Sequence, residues 1–115
     1  MTTETYTPEQ WVTGSDPVAN TLGTVVTGQN LAKYAPLGQV TASGKFKIWT
    51  PGATDGSEVA VRIAPFAIDA TGGDVEAGLI KSGTFNPELI AWPTATDAQK
   101  ATAFVGTPIS LQAPR

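Results

Sequence analysis

Cysteine and histidine are both absent from this 115-residue sequence. Without cysteine there is no disulfide, no thiolate metal site and no thiol nucleophile. Without histidine the commonest general base and metal ligand is missing too. Most hydrolase constellations and zinc sites are thereby excluded, which leaves carboxylates, lysine, tyrosine and hydroxyls for any chemistry. Charge is also scarce, at 15% of residues with a net of −3, and the seven lysines and arginines are scattered. No basic stripe exists for a nucleic acid to follow, so no nucleic-acid partner is expected. No apolar run approaches the ~18 residues of a membrane span, so no membrane partner is expected either. Met1-Thr2-Thr3-Glu4-Thr5 lacks the basic and apolar regions of an export signal, so synthesis and retention in the cytoplasm of the producing cell are expected. No cofactor and no metal are expected.

What is present is a weakly charged chain rich in Thr, Ala and Gly, better suited to contact with protein than with a polyanion. The length implies one domain, large enough to bury something over roughly 60% of its unfolded surface. The stretch from Lys81 to Pro93 organises the rest. Leu79 and Ile80 read as the end of a buried strand, and Ser82-Gly83-Thr84 has turn chemistry. Asn86-Pro87 suits a helix start, and Pro93 limits that helix to about one turn. Phe85, Leu89, Ile90 and Trp92 make this the densest apolar cluster. Phe85, Leu89, Trp92 and Phe104 are the expected structural core.

Residues 1–20 are polar and Thr-rich, broken by Pro8, Gly14 and Pro17, and read as a flexible arm that does not offset its ordering entropy. Thr24 to Thr27 is a candidate strand before a turn at Gly28-Gln29-Asn30, and Leu31 to Leu37 reads as irregular. Gln39-Val40-Thr41 and Lys45 to Trp49 flank a Gly44-containing loop as a hairpin, with Phe46 and Ile48 turned inward. Pro51 to Gly56 is an exposed turn. Val59 to Ile68 is the longest strand signal, with a bulge or an edge position required at Pro65. Val75 to Lys81 is its expected partner. Thr96 and Gln99 form a capping box for a helix over Asp97 to Val105, with Gly106 just past its end. Thr107 to Leu111 is a last strand, and 112–115 a tail.

Asp69, Asp74 and Glu76 lack the spacing of a calcium loop and read as turn residues, as do Asp55 and Glu58. Gly72-Gly73 lacks the strand and helix context of a phosphate cradle.

Lys81-Ser82-Gly83-Thr84-Phe85, then Trp92-Pro93, then Ala103 to Ser110 resemble the head decoration proteins of lambda-type tailed phages. The similarity runs from about Pro36 to Leu111, with Gly14-Ser15-Asp16-Pro17 matching upstream. The resemblance implies a mainly β fold with one or two short helices: a small compact, β-clip-like domain over 21–111 with a flexible N-terminal arm. It implies no enzymatic role. It also implies a homotrimer on the outer surface of the expanded capsid of the virion, at local three-fold positions. There it contacts the major capsid protein of the parent phage and stabilises the head against packaged DNA. Thr3, Thr5, Tyr6, Trp11, Val12 and Thr13 are the expected capsid-binding residues of the arm. The rival reading is a small β-rich adhesion or carbohydrate-binding module that uses Trp11, Trp49 or Trp92 as a stacking platform; a minimal carboxylate enzyme is a third.

Overall fold

The computed structural model describes residues 11–112. They form strands β1 (Ala19–Val25), β2 (Asn30–Leu31), β3 (Pro36–Gln39), β4 (Phe46–Ile48), β5 (Ala60–Ile63), β6 (Ile68–Asp69), β7 (Val75–Phe85) and β8 (Ile109–Leu111). One 3-10 turn, Pro87–Leu89, and one helix, α1 (Asp97–Ala101), complete the described elements. The fold is mainly β, as expected.

The main sheet has the order β1-β4-β3-β5-β7-β8, and β1 also pairs with β7. That extra pairing closes β1, β4, β3, β5 and β7 into a small barrel, and β8 hangs from the far end of β7. Strands β2 and β6 form a separate two-stranded ribbon. Two apolar clusters fill the molecule. Val25, Leu37, Phe46 and Leu79 meet Leu31 and Ile68 of the ribbon in the first. Ile63, Ile80, Phe85, Ile90, Phe104 and Ile109 build the second, with Tyr34 and Trp49.

β7 is the spine. It pairs antiparallel with β1 from Ala19↔Ser82 to Val25↔Val75, parallel with β8 from Gly83↔Ile109 to Phe85↔Leu111, and with β5 only at Ile63↔Ile80. The expected partnership of Val75–Lys81 with the preceding strand is therefore reduced to one pair. The expected turn at Ser82-Gly83-Thr84 is instead a continuation of the strand. Its hydroxyls are occupied from outside: Ser82 Oγ donates to the Pro17 carbonyl at 3.1 Å and the Thr84 hydroxyl to the Asp16 carboxylate. Long-range partners thus outcompete the local turn. Gly83 permits this because its φ is +134°, and a Cβ there would lie 2.5 Å from the Phe85 ring.

Three further expectations change. The run from Val59 to Ile68 breaks at Pro65 into β5 and β6, which belong to different sheets. A residue without an N–H ends the ladder here rather than bulging it. Val59 is exposed while Ala60, Ile63 and Ala64 are buried. The helix begins as expected, with both arms of the Thr96–Gln99 capping box formed, but ends at Ala101 with Thr102 as its cap. The Thr102 hydroxyl donates to the Ala98 carbonyl at 3.0 Å, and Phe104 takes φ +68° to enter the core. Burial of that ring overrides continuation of the helix. The single turn after Asn86 forms as read, with Asn86 Oδ1 accepting the Glu88 N–H at 2.9 Å. The first strand starts earlier than its Thr24 signal, because β7 templates it from Ala19 onward.

Candidate functional site

The segment read as an arm divides in two. Met1 to Gln10, with Thr3, Thr5 and Tyr6, lie outside the described residues. Residues 11–20 lie along β7. The Asn86 N–H donates to the Trp11 carbonyl at 2.8 Å and the Thr13 N–H to the Thr84 carbonyl at 3.0 Å, so Val12 bridges Phe85 in antiparallel sense. After a detour through Gly14 to Val18, β1 resumes on the same side of β7. On the other side the Gln112 N–H donates to the Phe85 carbonyl at 2.9 Å, and Thr13 Oγ1 donates to the Gln112 carbonyl at 2.7 Å. Both ends of the described chain therefore meet at the C-terminal end of β7.

Trp11 fixes this junction. Its ring stacks on Tyr34 with centroids 3.8 Å apart and on Phe85 at 4.6 Å, at interplanar angles of 11° and 21°. The stack is worth about 0.5–1.5 kcal/mol per aromatic pair beyond the area buried. Tyr34 holds a left-handed backbone, φ +66°, costing about 1–3 kcal/mol for a non-glycine residue in such a region. Its N–H donates to the Ala64 carbonyl at 2.8 Å and its carbonyl accepts the Ala91 N–H at 3.1 Å, which hold the ring in place. Nothing in the sequence singles Tyr34 out. Asp16, which ties the detour to Thr84, was visible only as part of Gly14-Ser15-Asp16-Pro17.

Of the expected core residues, Phe85 and Phe104 are fully buried, while Leu89 and Trp92 are half-buried against the second cluster. Trp92 Nε1 donates to the Pro87 carbonyl at 3.0 Å, and its ring meets that of Trp49 edge-on at 5.6 Å. Trp49 is buried and donates Nε1–H to the Glu58 carbonyl at 2.8 Å. Trp49 is internal, the Trp11 ring is stacked on Tyr34 and Phe85, and the Lys100 ammonium sits 6.0 Å from the centroid of the half-buried Trp92 ring.

The carboxylates staple turns. Asp55 accepts the Ser57 hydroxyl at 2.5 Å and the Ser57 N–H at 3.0 Å, with Lys47 3.3 Å away. Hydrogen bonds from Ser57 lower its pKa to about 2, with a smaller contribution from Lys47. Asp69 is lowered by the hydroxyl and N–H of Thr71. Asp74 is lowered by Lys45, 2.6 Å away, and by the Thr27 N–H. No group of three acidic side chains converges on a metal position among the described residues, and no helix described is long and apolar enough to cross a membrane.

The family model of the bacteriophage lambda head decoration protein D matches residues 1–110. A "Putative decoration protein" of Escherichia phage N15 is 32% identical over 111 residues, covering 95% of this chain and 96% of the relative. A "Head decoration protein" of Enterobacteria phage P21 is 33% identical over 98 residues, covering 84% of this chain and 81% of the relative. These matches along most of the chain lead to one conclusion: the chain belongs to the lambda head decoration protein D family.

Proposed function

We propose that this protein is a cement of the capsid exterior. It binds as a homotrimer at local three-fold sites of the expanded head, contacts the major capsid protein, and holds neighbouring subunits against the pressure of packaged DNA. It has no catalytic role. Membership of a family of head decoration proteins carries this reading. Two features of the chain support it: the weakly charged exterior, and carboxylates committed to turns.

The capsid-binding element is the arm. Residues 1–10, with Thr3, Thr5 and Tyr6, supply strand-compatible side chains that add to an exposed sheet edge of the capsid protein through backbone hydrogen bonds. Trp11, Val12 and Thr13 serve as its root, because the Trp11 stack and the Val12 bridge fix where the arm leaves the barrel. One arm binds weakly because ordering it costs free energy. Three arms on one rigid body make the later contacts intramolecular, raising avidity by ~10²–10⁴. The burial of Trp49 and the stacking of Trp11 on Tyr34 and Phe85 disfavour these two indoles as a sugar platform.

Deleting residues 2–10 tests the reading without disturbing Trp11. The truncated protein is expected to keep its circular dichroism spectrum and melting temperature and to lose co-sedimentation with expanded heads. Wild-type decoration by the truncated protein would remove the arm from the mechanism. Failure of the intact protein to bind expanded heads would remove the cement function itself.

A further inference from the structure

A groove of about 410 Å³ opens just beyond the C-terminal end of β7, a volume typical of small-ligand sites. Its lining is mainly apolar, with Pro87, Trp92, Ala101 and Leu111 contributing. Trp92 and Leu111 are half-buried, so each leaves surface for whatever fills the groove. Glu88 and Asp97 also line it. Both are exposed, and neither belongs to an ion pair among the described residues. The Lys100 ammonium, on the same lining, lies against the Trp92 ring. The groove therefore offers apolar surface edged by two carboxylates against one ammonium.

Two stretches of the sequence lie outside the described residues, and both adjoin this groove. Residues 1–10 precede Trp11, whose carbonyl accepts the Asn86 N–H one residue before Pro87. They carry Glu4 and Glu9 and no lysine or arginine, so Glu88 and Asp97 repel them. Ala113, Pro114 and Arg115 follow Gln112, whose N–H donates to the Phe85 carbonyl, and the preceding Leu111 is itself a wall of the groove. Arg115 is their one charged side chain. Pro114 costs little to order, because its φ is already fixed.

We propose that Ala113-Pro114-Arg115 fills this groove in its own chain. β8 runs parallel to β7 from Gly83↔Ile109 to Phe85↔Leu111, and two further steps of that register bring residue 113 abreast of Pro87. Pro114 then covers the Trp92 indole and needs no ladder partner, having no N–H. The Arg115 guanidinium faces the Glu88 and Asp97 carboxylates, which its forked donors suit. The segment is a latch. It holds Gln112, whose carbonyl accepts the Thr13 hydroxyl at 2.7 Å, and so secures the root of the arm from the far end of the sequence. The family match ends at residue 110, so the latch lies outside it. It does not depend on capsid binding.

Nuclear magnetic resonance on the free, isotope-labelled full chain tests the latch. Nuclear Overhauser contacts are expected between the Pro114 ring and the Trp92 indole, with the Pro114 protons shifted upfield by that indole. Removing residues 113–115 keeps Gln112 and its bond to Phe85, and should move the Trp92 indole N–H resonance. Arg115→Glu should reproduce most of that movement and Arg115→Lys little of it. Deleting residues 2–10 should leave the resonance in place. A Trp92 resonance unmoved by loss of 113–115, with no Pro114 contact in the full chain, overturns the proposal. A resonance that moves only when residues 2–10 are removed also overturns it and gives the groove to the arm. Contacts seen only between a labelled and an unlabelled copy overturn it too, and give the groove to a neighbouring chain.

Discussion

Phe85 is the residue on which most of the molecule converges. Its ring is fully buried and stacks on Trp11, its carbonyl accepts the Gln112 N–H beside β8, and its backbone neighbours Thr84 and Asn86 hold residues 11–13. Phe85→Ala is expected to cost about 3–5 kcal/mol, the range for large aromatic deletions in a core. In a small domain that approaches the whole of its stability, so the checking measurement is a denaturant titration. Trp92→Ala is expected to cost less, near the lower end of that range, because Trp92 is only half-buried. The turn carboxylates contribute to acid sensitivity. Asp55, Asp69 and Asp74 are all lowered in the folded state. Their contribution is full above the ordinary carboxylate value of about 3.9. It is lost as pH falls through the folded values, down to about 2 for Asp55. The melting temperature should therefore fall between about pH 4 and 2, and Asp55→Asn should flatten that fall while lowering the plateau above it. A pH series of thermal melts reads both.

At the scale of elements, local signals and long-range ones fared differently. The capping box at Thr96–Gln99, the Asn86-Pro87 turn and the Gly44 hairpin were legible because each is decided by residues within a few positions of one another. The partners of β7 were not. Nothing in Ala19 to Val25 announces that it will pair with Val75 to Ser82 rather than leave β7 to the strand before it, because β pairing is fixed by burial and register across the chain. The same limit explains the helix end and the root of the arm. Phe104 leaves the helix, and Trp11 leaves the solvent, for a core assembled from distant segments. Thr96→Ala should cost about 1 kcal/mol, as for other lost N-caps, and leave the barrel intact by circular dichroism. In hydrogen exchange, amides of β7 paired with β1 should open only with the whole molecule, while those of α1, a short helix with no buried residue, should exchange through local fraying.

Among the described residues, β1, β4, β3, β5 and β7 close into a ring, and the ribbon and β8 join it through contacts between segments distant along the chain. Such topologies fold more slowly than helical bundles of the same size, because loop closure precedes the contacts that reward it. Among the described residues, β8 (Ile109–Leu111) and the Val12 bridge flank the same end of β7. Completion of the second core cluster therefore requires both extremities of the described chain. Removing residues 109–112 should destabilise Trp11 packing as well as β8, visible as a red shift of tryptophan emission in the truncated protein.

That meeting of both ends of the described chain at the C-terminal end of β7, where Thr13 bonds Gln112, makes the order of segments along the chain negotiable. A short Gly-Ser bridge from Gln112 to Trp11, with a new opening cut at the exposed Thr71-Gly72 turn, would yield a circular permutant with every described strand intact. It would have no arm, and its two new ends would emerge at the β6–β7 turn, where the arm does not leave. Folding of such a permutant, read from its melting temperature, would show that the barrel is specified by its pairings and not by the order of its segments. Reattaching residues 1–10 at the new opening would then ask whether the head recognises the peptide alone or the peptide in its place.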